Sequence, residues 1–160
     1  MKIIAFVGRS GSGKTRFIAR LIPELARRGW TAAVVKHCGH GFDLGDEGKD
    51  SSRFLAAGAK DVALAGPEGW AVIHRGGSAL PLARLAEAWF PKADLVIVEG
   101  GKGERGLKKI EVLRRGISEA AETPASELVG IVAEGNASGP VPVFHPDRAD
   151  ALAEWLKGEL

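Results

Sequence analysis

Near the start of the chain, Gly8-Arg9-Ser10-Gly11-Ser12-Gly13-Lys14-Thr15 fits the pattern G-x-x-x-x-G-K-[ST]. The spacing describes a pocket for a chain of phosphoryl groups. Glycines permit positive φ and carry no Cβ to block a phosphate. Successive backbone N–H groups can then converge as a nest, and a following helix turns its positive end toward the same point. Lys14 supplies a point charge along the phosphates, and the Thr15 hydroxyl is placed to ligate Mg²⁺. Gly8, Ser10, Gly11, Ser12, Gly13, Lys14, Thr15 and the adjoining Arg16 are therefore the expected nucleotide-binding residues.

A triphosphate site commonly takes a second carboxylate from a neighbouring strand end. Glu99 follows the apolar run "LVIV" and precedes Gly100-Gly101. That is the carboxyl edge at which open α/β sheets hold ligands. Glu99 is the expected Mg²⁺ partner of Thr15 and, with Lys14, an expected catalytic residue. Asp94 lies at the other end of the same run.

The stretch "KHCGHGFDLGDEGKDS" is dense in polar groups. His37, Cys38, His40 and Asp43 invite a metal reading, but their spacing matches no structural zinc pattern and only one thiol is present. Two readings stay open. One is a switch-like loop beside the triphosphate, with Asp43 or Asp50 near Mg²⁺ and Lys36, His37 or Lys49 near a substrate anion. The other is a surface loop in which Asp46 caps a short helix. The chain contains no glutamine, the residue that often orients water for hydrolysis, so any hydrolysis is expected to be slow. The guanine-reading pattern [NT]-K-x-D is missing too, and "PKAD" precedes a strand rather than following one.

The elements that must position these groups alternate. Strands are expected at Lys2–Val7, Thr31–Lys36, "DVALAG", "GWAVIHRG", "DLVIVEGG", "KKIEVLRR", "LVGIVAEG" and "VPVF". Helices are expected from Lys14 to about Arg28, over "SSRFLAAGA" and "LPLARLAEAWF", and from about Asp147 to Lys157. Alternation of this kind predicts a three-layer α/β fold with a mainly parallel sheet. "KKIEVLRR" is a candidate strand in which Ile110 and Val112 alternate with charges. Because "GPEG" is too short for a crossover, the segment around 69–75 is expected to be antiparallel to its predecessor. No linker divides the 160 residues, and a single domain is expected.

The net charge of +2 is too small to argue for nucleic acid or a membrane surface. Arg16, Arg20, Arg27 and Arg28 read as a solvated helix face. One cysteine excludes an internal disulfide. The amino-terminus enters a strand directly, without the apolar run of a signal peptide. No segment reaches the roughly 20 apolar residues of a membrane span. A cytoplasmic protein is expected.

With these motifs in view, the chain resembles the molybdopterin-guanine dinucleotide biosynthesis protein B (MobB) family of P-loop GTPases. The likeness rests on "GRSGSGKT", "LIPELARRG", "VKHCGHGFDLGDEGKDS", "AAGA", "DLVIVEGGK" and "KIEVLR", in family order from about residue 3 to residue 115. The resemblance implies GTP and Mg²⁺ as ligands, weak GTPase activity and a homodimer. It implies partnership with the guanylyltransferase MobA, and contact with molybdopterin is a further expectation. Lys36, His37, His40, Asp43, Lys49, Asp50 and Ser51 would form the family loop, and Glu99 with Gly100 the strand-end element. Gly39 stands where the family often has another histidine. Ala133-Glu134-Gly135-Asn136 stands where it often has Ala-Ser-Asp, so Glu134 takes the place of a carboxylate that could accept from guanine N1 and N2. Two other functions use the same loop. One is a small-molecule kinase, with Arg105, Arg114 and Arg115 over an acceptor phosphate. The other is a non-catalytic adaptor whose shape is set by nucleotide.

Overall fold

The opening apolar run is strand β1 (Lys2–Val7), with Ile4 to Val7 buried. Its alternate side chains enter two different cores, Ile4 and Phe6 in one, Ala5 and Val7 in the other. A strand covered on both faces reads as a continuous hydrophobic run. The computed structural model describes residues 1–39, 41, 50–76, 80–135 and 140–159. They form two compact units, Met1–Gly39 with Pro81–Leu160, and His40–Leu80.

In the larger unit, β1 leads through the glycine-rich turn into helix α1 (Lys14–Arg27). Phe17, Ile18, Leu21 and Leu25 form its buried stripe. The helix runs through Pro23 and stops at Gly29, whose φ of 78° lets the N–H groups of Gly29 and Trp30 bond Ala26 O and Leu25 O. This double bond pattern is a Schellman stop. Strand β2 (Ala32–Lys36) follows.

The smaller unit holds helix α2 (Asp50–Ala56) and strands β3 (Asp61–Gly66) and β4 (Gly69–His74). The strands pair antiparallel, as the short connection requires, in a two-stranded sheet of their own. The larger unit resumes with helix α3 (Leu82–Trp89), strands β5 (Leu95–Glu99), β6 (Lys109–Val112), β7 (Leu128–Val132) and β8 (Val143–Phe144), and helix α4 (Ala149–Glu159).

The main sheet is parallel throughout, in the order β2-β5-β1-β6-β7-β8. Helices α1 and α4 cover one face, with Leu21, Leu152 and Leu156 packed on Ile97 and Ile110. Helix α3 covers the other through Leu82 and Ala86. This is the expected three-layer α/β architecture, with the proline-bounded β8 at an edge. Strand β6 adds a finding, and the expected solvated arginine face needs correction. The Lys109 and Glu111 side chains of β6 are 1% and 2% exposed, so this strand has no wet face. Arg20 and Arg28 are likewise not simply solvated: Arg20 pairs with Asp147 at 2.6 Å, and Arg28 with Glu24 at 2.9 Å and Glu154 at 3.1 Å. No helix among the described residues is long and apolar enough to cross a membrane.

Candidate functional site

Sheet register builds the site. Phe6 of β1 and Lys36 of β2 both align with Glu99 of β5, so three strand ends meet beside the glycine-rich turn. Gly8, Gly11 and Gly13 all have positive φ, of 140°, 77° and 96°. At Gly8 a Cβ would lie 2.4 Å from Val112 O, so only glycine lets the loop pass β6 this closely. Helix α1 has no side-chain cap and no acid in its first turn, leaving its amino-terminal dipole open to an anion.

The charged groups converge at the same place. Thr15 Oγ1 donates to Glu99 Oε1 at 2.5 Å. Lys14 Nζ donates to Gly8 O at 2.9 Å and Arg9 O at 2.8 Å, so the ammonium lies across the loop. Burial pulls the Lys14 pKa below its usual value, and the nearby Glu99 charge acts against that fall. An ammonium stripped of water in this way gains most from a phosphate. Ser12 Oγ is buried, and no hydrogen-bond partner for it exists among the described residues. A buried hydroxyl without a partner fits a loop made to donate to a ligand.

A cavity of about 220 Å³ adjoins the loop, lined by Ser12, Gly13, Arg16, Arg114, Glu134 and Asp147 among others. It lies at the carboxyl ends of β6 and β7, beside the turn into α4. Arg114 also donates to Gly11 O at 3.1 Å, bracing the loop from that side.

A family model described as molybdopterin guanine dinucleotide synthesis protein B matches residues 3–134. The chain belongs to the MobB family. It is 41% identical over 163 residues to the molybdopterin-guanine dinucleotide biosynthesis adapter protein of Haemophilus influenzae, covering 96% of this chain and 89% of that one. It is 36% identical to the adapter protein of Escherichia coli, with 97% and 93% covered. Its fold is similar to a crystal structure of molybdopterin-guanine biosynthesis protein B, with a TM-score of 0.77 at 29% identity and 99% of both chains covered. The structure of Bacillus subtilis MobB gives 0.74 at 26% identity, covering 100% of this chain and 98% of that one.

Within this MobB fold, most of the expected site residues meet. Gly8 to Arg16, Lys36, His37, Glu99 and Gly100 share one sheet edge, and Glu134 lines the adjoining cavity. The His37 N–H donates to Glu99 O at 2.9 Å, and the His37 side chain sits over Gly100, where a Cβ would meet its carbonyl at 3.3 Å. Asp50 opens α2 in the smaller unit, with Arg53 3.9 Å from its carboxylate. His40, Asp43, Asp46 and Lys49 lie outside the described residues. Among the described residues no three His, Cys, Asp or Glu side chains cluster as a metal cage.

Sequence reasoning missed the polar groups behind the loop. Arg9 and Lys102 both pair with Glu122. Lys109 Nζ donates to Lys102 O at 3.0 Å, Glu104 O at 2.5 Å and Glu127 Oε2 at 2.7 Å. Glu111 Oε2 accepts the N–H groups of Glu122 at 3.0 Å and Thr123 at 2.8 Å. The available signal was the pair of charges, Lys109 and Glu111, alternating with Ile110 and Val112 inside a strand.

Proposed function

We propose that the chain is a guanine-nucleotide-binding adapter in molybdopterin guanine dinucleotide biosynthesis. It binds Mg²⁺ and GTP, hydrolyses GTP slowly, and works with the guanylyltransferase MobA. The observation that carries this reading is the meeting of Lys14, Thr15 and Glu99 at a loop whose glycines hold positive φ and, at Gly8, pass the backbone of β6 too closely for a Cβ. The names of its relatives support the biosynthetic role.

The donor set fits a magnesium triphosphate. Thr15 Oγ1 and Glu99 would hold the cation, directly or through water, and bound Mg²⁺ offsets charge developing on the phosphoryl oxygens. Lys14 exchanges the carbonyls of Gly8 and Arg9 for phosphate oxygens. The loop amides and the open end of α1 orient the anion, and Ser12 Oγ is free to donate. With no glutamine in the chain, no side chain of that type holds the attacking water, consistent with slow turnover. Glu134 in the cavity is an acceptor suited to guanine N1 and N2. Molybdopterin is the other ligand class this role calls for. The homodimer is supported by the smaller unit, where Trp70 and Val72, on one face of the two-stranded sheet, are 71% and 39% exposed. Apolar side chains left exposed on a sheet face favour burial against a second surface.

Titration of GDP and ADP against the purified protein tests the reading, with tryptophan fluorescence as the signal. Preference for GDP is expected, together with capture of a guanylyltransferase from native extract in the presence of GTP. Equal or tighter adenine-nucleotide binding would overturn the assignment. Rapid phosphoryl transfer to a small acceptor would favour a kinase instead.

A further inference from the structure

We propose that Glu122 is a positioning residue that holds Arg9 and Lys102 in reserve beside the phosphate loop and ties that loop to the segment after Glu99. The inference rests on the nucleotide-binding reading above and adds a control built around it.

The contacts form a closed ring. Lys14 Nζ bonds Arg9 O at 2.8 Å. The Arg9 guanidinium donates to Glu122 Oε1 through Nε at 3.1 Å and Nη2 at 2.7 Å. Glu122 Oε2 pairs with Lys102. Lys102 lies three residues beyond Glu99, which accepts from Thr15, the neighbour of Lys14. The ring thus begins and ends on the two residues expected to meet phosphate and metal.

Glu122 itself is fixed from behind. Its backbone N–H bonds the buried Glu111 carboxylate, and Lys102 O is gripped by the buried Lys109. Strand β6 therefore anchors both loops that present the Glu122–Lys102 pair. Lys102 and Arg9 hold the Glu122 pKa below the ordinary carboxylate range, so the carboxylate stays charged between them at neutral pH.

A phosphate that draws Lys14 away from Arg9 O releases the Arg9 backbone from its tether. A metal taken by Thr15 and Glu99 opens the ring at its other end. Arg9 and Lys102, with side chains 62% and 49% exposed, then have an anion to exchange for Glu122. Glu122 is in this sense a competitor of the ligand for two cations.

The test is a variant cycle read by equilibrium binding of magnesium and a fluorescent, non-hydrolysable GTP analogue, with thermal midpoints measured alongside. Glu122→Gln is expected to tighten binding about fivefold at low ionic strength, with the gain shrinking as salt rises. Glu122→Asp, which keeps the charge, is expected to stay within about twofold of the parent protein. In the Arg9→Ala/Lys102→Ala background, Glu122→Gln is expected to change affinity less than about twofold, because no reserve cations are left to release. Unchanged or weaker binding in Glu122→Gln would overturn the inference alone. So would a fivefold gain that persists without Arg9 and Lys102, because the effect would then be general charge repulsion. Failure of the parent protein to bind the analogue would overturn the functional reading, and this inference with it.

Discussion

Strands β5 and β6 flank β1 on opposite sides and are equally buried, yet they are made of different material. In β5, Leu95 to Val98 are all apolar and fully buried, and Glu99 alone reaches the edge. In β6, Lys109 and Glu111 alternate with Ile110 and Val112 and are just as deep. The difference follows from what covers each strand. The apolar side chains of both strands meet helices, whose backbone groups bond internally. The charged face of β6 meets the segments 102–104 and 122–127, whose backbone carbonyls and amides need partners. A buried ammonium and a buried carboxylate supply them. One strand works by filling space, the other by satisfying loops.

Substitutions can break that comparison one side at a time. The largest loss of stability is expected from Leu95→Ala, about 3–4 kcal/mol from lost burial and the cavity left behind. Denaturant unfolding measures it, and nucleotide affinity of the folded protein should stay within about twofold. Lys109→Ala should cost about 3 kcal/mol by leaving Glu127 and two carbonyls without their cation. Unlike Leu95→Ala, it should also speed hydrogen exchange across residues 101–106, because those residues lose their anchor. Equal exchange in the two variants would erase the proposed distinction. Glu111→Gln keeps an acceptor for the Glu122 and Thr123 amides and should cost about 1–2 kcal/mol.

Acid sharpens the same contrast with a smaller effect. The Glu127 pKa is lowered by its bond from Lys109 and by the Gly106 N–H, and the Asp94 pKa by the Thr31 N–H and hydroxyl. A carboxylate with a depressed folded pKa stabilises above its unfolded value, and that contribution fades as pH falls through the folded one. The loss should begin near the ordinary carboxylate value of about 4 and continue below it. Thermal midpoints of Glu127→Gln and Asp94→Asn should therefore fall less steeply in acid than the parent's.

The contrast also marks what could be read from residues alone. The glycine-rich turn between β1 and α1 was legible because a long pattern, a strand before it and a helix after it all agreed. Glu99 was legible because an apolar run ending in a carboxylate fixes a position at the sheet edge. The end of α1 near Arg28 was legible for the same kind of local reason. The burial of Lys109 and Glu111 was not legible, because alternation does not say whether the second face meets water or a loop. Arg20 was misread because its partner, Asp147, lies 127 residues away. The part played by Glu122 could not be seen either, since its bond to Arg9 spans 113 residues. Local chemistry writes itself into spacing, whereas long-range pairing depends on which loops the fold brings together.

The most direct measurement is calorimetric titration of a non-hydrolysable GTP analogue, with and without Mg²⁺, into the protein and its Lys14→Ala variant. One site per chain is expected, tighter with Mg²⁺, displaced by GDP but not by ADP, and weakened by about a hundredfold or more without the Lys14 ammonium. Binding of equal strength by Lys14→Ala, or equal displacement by ADP, would contradict that expectation.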